Sequence, residues 1–265
     1  MDTFEIYKAN QKKGWANFAP VEMMTAMPAA RLVKHAGVRP EQIALDVACG
    51  TGVIAVTAAR LGAKVSGLDL TPELLERARY NSALAQVNID WHEGDVEQLP
   101  FSDAQFDVVL SQFGHIFAPR PALAVSEMLR VLKPGGTIAF STWPPQHFVG
   151  RSFALMAKYM PPPPPGIVSP ILWGDEKVVR ERLGGSVRDL TFDTGTMSAP
   201  ALSPRHHRAA NEKVVGRLIE LVQALSVSDP ARLAEFRGEA EALTAEYFAE
   251  NFVRQDFLMS RAIKV

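Results

Sequence analysis

Apolar residues fall into two rhythms along this chain. Between Ile43 and Ser141, apolar runs of strand length alternate with longer segments in which apolar residues recur every three or four positions, the mark of strands joined by helices. The strand-like runs are Ile43 to Val47, Lys64 to Leu70, Ile89 to Glu93, Phe106 to Ser111 and Thr137 to Ser141. Between them, Thr71-Pro72-Glu73 reads as a cap with proline in the first turn, opening a helix whose buried side is expected to carry Leu74, Leu75, Ala78 and Leu84. Pro121 opens a second, carrying Leu123, Val125, Met128, Leu129 and Leu132 until Pro134 and Gly135 stop it. Strict strand and helix alternation predicts an α/β fold: a doubly wound, mostly parallel sheet with helices on both faces.

The rhythm changes after Ser141. Pro144, Pro145 and Pro161 to Pro165 stiffen a stretch rich in aromatic and methionine side chains, namely Phe148, Phe153, Met156, Tyr159, Met160 and Trp173. Residues 175 to 184 read as a helix, Val187 to Thr194 and Val253 to Val265 as late strands. Between those strands lie two amphipathic helices, one with Val214, Leu218, Leu221, Val222 and Leu225, the other with Leu233, Phe236, Ala240, Leu243 and Tyr247. The expected organisation is an N-terminal helical cap (1–40), a nucleotide-binding core (41–142), a proline-rich lid insertion (143–174), a core helix and strand (175–198), a helical lid insertion (199–250) and a final core strand (251–265).

Composition narrows the class. The 265 residues, 47% of them hydrophobic, are enough for one large core or a core plus a cap. With 28 basic against 29 acidic side chains the formal net charge is −1, so no general field draws the protein to nucleic acid or an anionic membrane. One cysteine forms no internal disulfide, the start Met1-Asp2-Thr3-Phe4-Glu5 lacks an export pattern, and no apolar run approaches a membrane span. The expectation is a cytoplasmic enzyme acting on a small molecule.

Chemistry concentrates at three strand ends. After the first strand, Asp46-Val47-Ala48-Cys49-Gly50-Thr51-Gly52 turns through two glycines into a helix start, where free amides favour a negative or polar ligand. About twenty residues later Asp69 ends the second strand, in place to accept hydrogen bonds from ribose hydroxyls. Gly94-Asp95-Val96 ends the third with an acid beside an apolar wall, a setting suited to an adenine ring.

These pieces, with Phe106 to Ser111 and Arg130-Val131-Leu132-Lys133-Pro134-Gly135-Gly136 running into Thr137 to Ser141, resemble the class I S-adenosylmethionine-dependent methyltransferases, most closely the branch that methylates quinones and other small molecules. The resemblance spans roughly residues 40 to 142. It implies a Rossmann-like seven-stranded sheet, S-adenosyl-L-methionine as cofactor, and cofactor contacts at Asp46, Ala48, Gly50, Thr51, Gly52, Asp69, Leu70, Asp95, Val96 and Ser111. It also implies that the region of Tyr7, Trp15 and Phe18, ahead of a Met23 to His35 helix, closes over the cofactor's methionine moiety.

Methyl transfer from an activated sulfonium needs alignment and exclusion of water more than side-chain chemistry, in keeping with the lack of a visible nucleophile triad or metal-ligand cluster. A base is required only when the acceptor must lose a proton, and His115, just past the fourth strand, is the preferred candidate. His206 and His207 read as a solvated turn at the start of a lid helix, His35, His92 and His147 carry weaker signals, and Cys49 reads as a small apolar filler. A nicotinamide-dependent oxidoreductase shares the glycine corner and Asp69 but leaves Gly94-Asp95 and Lys133-Pro134-Gly135-Gly136 without a role. A methyltransferase for nucleic acid or protein, or an inactive cofactor-binding module, remains as the alternative.

Overall fold

Five apolar runs form the parallel part of the sheet in the computed structural model, which describes residues 2–265. They are β1 (Ile43–Val47), β2 (Lys64–Asp69), β3 (Ile89–Glu93), β4 (Phe106–Gln112) and β5 (Leu132–Thr142). The antiparallel part is β6 (Val187–Pro200) and β8 (Phe252–Lys264), with β7 (Phe248–Ala249) a two-residue rung on β8. The strand order is β3-β2-β1-β4-β5-β8-β6, seven strands as expected. The chain moves outward from β1 in one direction through β2 and β3 and then returns to pair β4 on its other side. That reversal opens a crevice beyond the carboxyl ends of β1 and β4, where ligands settle in doubly wound sheets.

Among the described residues ten helices surround the sheet: α1 (Thr3–Trp15), α2 (Ala26–Ala36), α3 (Val53–Arg60), α4 (Pro72–Leu84), α5 (Pro121–Val131), α6 (Phe148–Tyr159), α7 (Glu176–Leu183), α8 (Pro204–Asn211), α9 (Gly216–Ser228) and α10 (Pro230–Ala245). No helix among the described residues is long and apolar enough to cross a membrane. Several expectations are corrected. The helix expected over Met23 to His35 starts at Ala26, behind a tight 3₁₀ segment over Ala19–Thr25. Thr71 stands at the start of α4, yet its hydroxyl makes no cap bond. Leu84 and Leu123 are exposed rather than buried. Leu132 leaves α5 with extended torsions and pairs with Phe106, so it opens β5 instead of closing the helix.

Burial is divided between two clusters. The larger fills both faces of the sheet and includes Leu32, Leu45, Ile54, Phe106, Leu110, Met128 and Phe140. The smaller, with Phe148, Leu155, Ala199, Leu221, Phe236 and Val253, lies among α6, α9, α10 and the far ends of β6 and β8. Those two strands pair from Val187 opposite Lys264 to Pro200 opposite Phe252, interrupted only by an irregularity between Arg188 and Thr191, whereas β5 accompanies β8 only from Ile263 to Leu258. The excess forms a two-stranded stalk, and α8, α9 and α10 hang between its ends. Gly195 is required on it, because any side chain there would strike the ring of Phe257.

Candidate functional site

Burial of β1 and β4 aims their carboxyl ends at one corner, where Ala48 (φ 52°), Gly50 (φ 54°) and Gly52 (φ 79°) all adopt left-handed torsions. At Gly50 no heavy atom lies within 4 Å of where a side chain would begin, so the corner faces open space there. Gly52 is glycine for another reason: a side chain would collide with Trp91 and Ala78, inside the fold. Gly114 leaves room for Ala48 behind the turn, since its own side chain would meet the Ala48 Cβ and carbonyl.

Asp69 braces this corner. Its Oδ2 accepts the Gly50 amide at 2.8 Å and its Oδ1 the Thr71 amide at 2.8 Å. Each oxygen keeps lone-pair capacity for a hydroxyl donor. Burial raises the carboxyl pKa, and the two amides oppose that rise. Asp46 is fully buried; its Oδ2 accepts the Ala55 amide at 3.0 Å while its Oδ1 has no partner. Burial, reinforced by the charge of Asp69, pushes its pKa well above the usual carboxylate range.

Asp46, Ala48, Gly50, Thr51, Asp69, Leu70, Asp95 and Val96 all line a cavity of about 350 Å³ that starts at the corner and runs beneath the lid. Apolar Leu68, Leu70, Leu74 and Val96 stand beside Asp69 and Asp95, a wall and acceptor set suited to a nucleoside. Asp95 is more engaged than its sequence position suggests: Oδ1 accepts the Glu97 amide at 2.9 Å, and Oδ2 takes the ammonium of Lys8 from α1. Lys8 also reaches Glu97 at 2.6 Å, and Lys12 reaches Glu93 at 2.6 Å. Two lysines one helical turn apart thereby fasten α1 across the acidic ends of β3. Trp15 and Phe18 line the cavity, whereas Tyr7 lines a neighbouring one between α1, α9 and Pro161 to Pro164.

Three expected residues stand outside the cavity lining. Gly52 is turned into the fold as described. Ser111 is fully buried and donates to the Val47 carbonyl at 2.7 Å, stitching β4 to β1. His115 is fully buried in an aromatic box, 4.8 Å from the Phe140 ring and 4.7 Å from the Trp173 ring by centroids. Neither ring nitrogen has a partner, and burial together with the nearby charge of Arg182 lowers its pKa to about 3. A base must touch the proton it removes, and His115 is absent from the cavity lining, which counts against the role expected of it from sequence. The 3₁₀ turn over His115–Phe117 folds the imidazole back onto the sheet.

The cavity's outer part is built by segments far apart in sequence. Phe113 and Trp143 stack at 3.8 Å and 14° as one wall, with Phe148, Phe153 and Met156 of α6 and Phe236 of α10 as others. Cys49, read from sequence as a filler, is buried and also lines the cavity. Gln112 donates to the Thr25 carbonyl at 2.9 Å and leaves Oε1 without a partner. His207 is buried and lines the cavity, contrary to its reading as a solvated turn; α8 docks against α10 and sets the imidazole edge-on to Phe148 at 5.4 Å. The sequence reading did not place Lys8, Gln112 or His207 at the cavity. The Lys8 and Lys12 spacing opposite acid-tipped strands was a usable signal for the first; the others had none, because docking of the lid decides which way they point.

Residues 45–140 match a family described as "Methyltransferase domain". An uncharacterized protein of Mycobacterium tuberculosis is 33% identical over 234 residues, 88% of this chain and 85% of that one. A Staphylococcus aureus protein named demethylmenaquinone methyltransferase is 37% identical over 138 residues, 50% of this chain and 56% of its own. Among solved structures, Haemonchus contortus phosphoethanolamine N-methyltransferase 2, in complex with phosphomonomethylethanolamine and S-adenosylhomocysteine, superposes with a TM-score of 0.55 at 18% identity, over 89% of this chain and 52% of that one. At that identity the likeness is one of fold.

Proposed function

Because the chain belongs to the class I S-adenosylmethionine-dependent methyltransferases, we propose that it methylates a small, partly apolar molecule held beneath the lid. The observation that carries this reading is the continuity of one cavity from Asp69 to the aromatic walls of α6 and α10. Such a mostly apolar space suits a compact organic ligand. The cations around it are answered as well: Lys8 by Asp95 and Glu97, Lys12 by Glu93, Arg208 by Glu212 and Glu241. The apolar ring substrate in the name of the Staphylococcus relative fits the same reading.

S-adenosylmethionine supplies a methyl group already activated by its sulfonium charge. The chain's part is to bind, orient and dry the reacting centre. In this reading Asp69 takes the ribose hydroxyls, and Leu70, Asp95 and Val96 flank the adenine. Asp46, Ala48, Gly50 and Thr51 border the aminoacyl end. Segments 143–174 and 199–250 act as the lid, with the N-terminal helix fastened beside them.

The test is transfer of a labelled methyl group from S-adenosylmethionine to a panel of phenols, hydroquinones, amines and thiols, against RNA and protein controls. The expected result is turnover on one small-molecule class. Labelling of the macromolecular controls alone overturns the reading. Asp69→Asn weakens each amide contact at the corner, and charge-assisted hydrogen bonds contribute about 1.5–3 kcal/mol each. Its affinity for S-adenosylhomocysteine by calorimetry is expected to fall at least tenfold.

A further inference from the structure

Polar side chains that line the cavity are mostly committed elsewhere. Ser152 donates to the Phe148 carbonyl, Thr244 to the Ala240 carbonyl and Thr25 to the Glu22 carbonyl. Arg208 is paired with Glu212 and Glu241. Among the lining acceptors, Asp46 Oδ1 in the glycine corner and Gln112 Oε1 have no partner, and in the outer part of the cavity the His207 ring nitrogens meet only the amide of Asn211. Asn211 lies one turn on from His207 and donates its amide to the His207 carbonyl at 2.9 Å. Its Nδ2 is 3.2 and 3.1 Å from the two ring nitrogens, nearly equidistant, which places it over the ring face rather than in line with either nitrogen's in-plane lone pair.

From this geometry we propose that His207 is the group that receives the methyl acceptor: its neutral imidazole accepts a hydrogen bond from a hydroxyl of the acceptor and takes that proton as the methyl is transferred. The proposal rests on the apolar small-molecule reading and deepens it, since it requires an acceptor with a hydroxyl on an otherwise apolar frame. The acceptor oxygen forms the new bond to the methyl carbon, the sulfur keeps the electron pair of the broken bond, and the hydroxyl proton moves to a ring nitrogen of His207. Surroundings hold the ring in its accepting form. Burial, with the charge of His206 adding, lowers its pKa to about 4. Of the charged groups nearby, Arg208 on the same helix is neutralised by Glu212 and by Glu241 of α10, and Arg237 of α10 also binds Glu212. From α6 the ring meets Phe148. A neutral, unspent acceptor in an apolar enclosure discriminates for a donor, because a ligand without one leaves the ring nitrogen desolvated and unpaired.

The test uses the intact protein loaded with S-adenosylhomocysteine and two probes of like shape, 2-naphthol and 2-methoxynaphthalene. Wild type is expected to bind the naphthol roughly tenfold more tightly, the span of one hydrogen bond. His207→Phe is expected to abolish that preference while keeping the methoxy probe's affinity and that for S-adenosylhomocysteine. In wild type, one of the six imidazoles is expected to shift in the ¹⁵N spectrum with naphthol and stay put with the methoxy probe, a readout that does not depend on the variant folding. Equal affinity for the two probes, a preference that survives His207→Phe, or an unmoved imidazole spectrum overturns the proposal. Failure of either probe to bind at all, with S-adenosylhomocysteine still bound, overturns instead the apolar-acceptor reading beneath it.

Discussion

An imidazole buried among aromatic rings with no carboxylate to answer it stays neutral, and His115 is in that position. Its unfolded pKa near 6.5 falls to about 3 in the fold. A depressed folded pKa means that the unfolded chain binds the proton more readily. Stability from neutral His115 is therefore complete above pH 6.5 and lost as pH falls toward 3, at up to about 1.4 kcal/mol per pH unit. His115→Phe fits an aromatic box and removes two unpartnered nitrogens. The variant is expected to keep methyl transfer and to lose less stability than wild type between pH 6 and pH 4, as followed by thermal unfolding. Loss of turnover at undiminished stability would return His115 to the reaction. The contrast with His207 is one of placement alone: both rings are buried and neutral, but only one borders the cavity.

At the scale of elements, the decisive join is between α1 and the lid. Gly14 of α1 and Gly216 at the start of α9 approach so closely that a side chain on Gly216 would lie 2.4 Å from the Gly14 Cα. This contact and the Lys8 and Lys12 ion pairs are the two ends by which α1 is held, one on the lid and one on β3. Gly216→Val forces backbone apart from backbone, which in packed interiors costs typically 1–3 kcal/mol. A lower unfolding temperature is expected, together with weaker binding of S-adenosylhomocysteine, because α1 carries Trp15 into the cavity wall. Unchanged cofactor affinity in a destabilised variant would show that the join stabilises the lid without shaping the site.

At the scale of the whole molecule, two apolar clusters share one stalk, with Met24 and Val149 touching both. The sheet cluster is larger and crossed by continuous strand pairing, while the lid cluster depends on helices joined by short turns. Local opening follows such differences, so amides of α8, α9 and α10 are expected to exchange hydrogen sooner than those of β1, β4 and β5. S-adenosylhomocysteine is expected to slow exchange at the glycine corner and α1. Uniform exchange across both clusters would mean that lid and sheet open as one unit.

Much of this architecture was readable as a string of residues, since strand and helix periods, glycine corners and acids at strand ends are local signals. Those signals determined the α/β class, the seven strands, the glycine corner and the family; Asp69 stands at the end of β2 as read, because a residue at a strand end has little freedom. Elements packed in tertiary space escaped that reading. Whether an imidazole on a short helix or tight turn faces a cavity or a wall depends on how that segment docks. His115 and His207 both left the environments expected of them when the 3₁₀ turn folded one into an aromatic box and the docking of α8 on α10, beside Phe148, brought the other to the cavity. Sequence thus determined that a glycine corner and acids stand together at the strand ends; only the packing of α6, α8 and α10 on the stalk decided which side chains line the outer cavity, because burial is a property of surfaces brought together from distant parts of the chain.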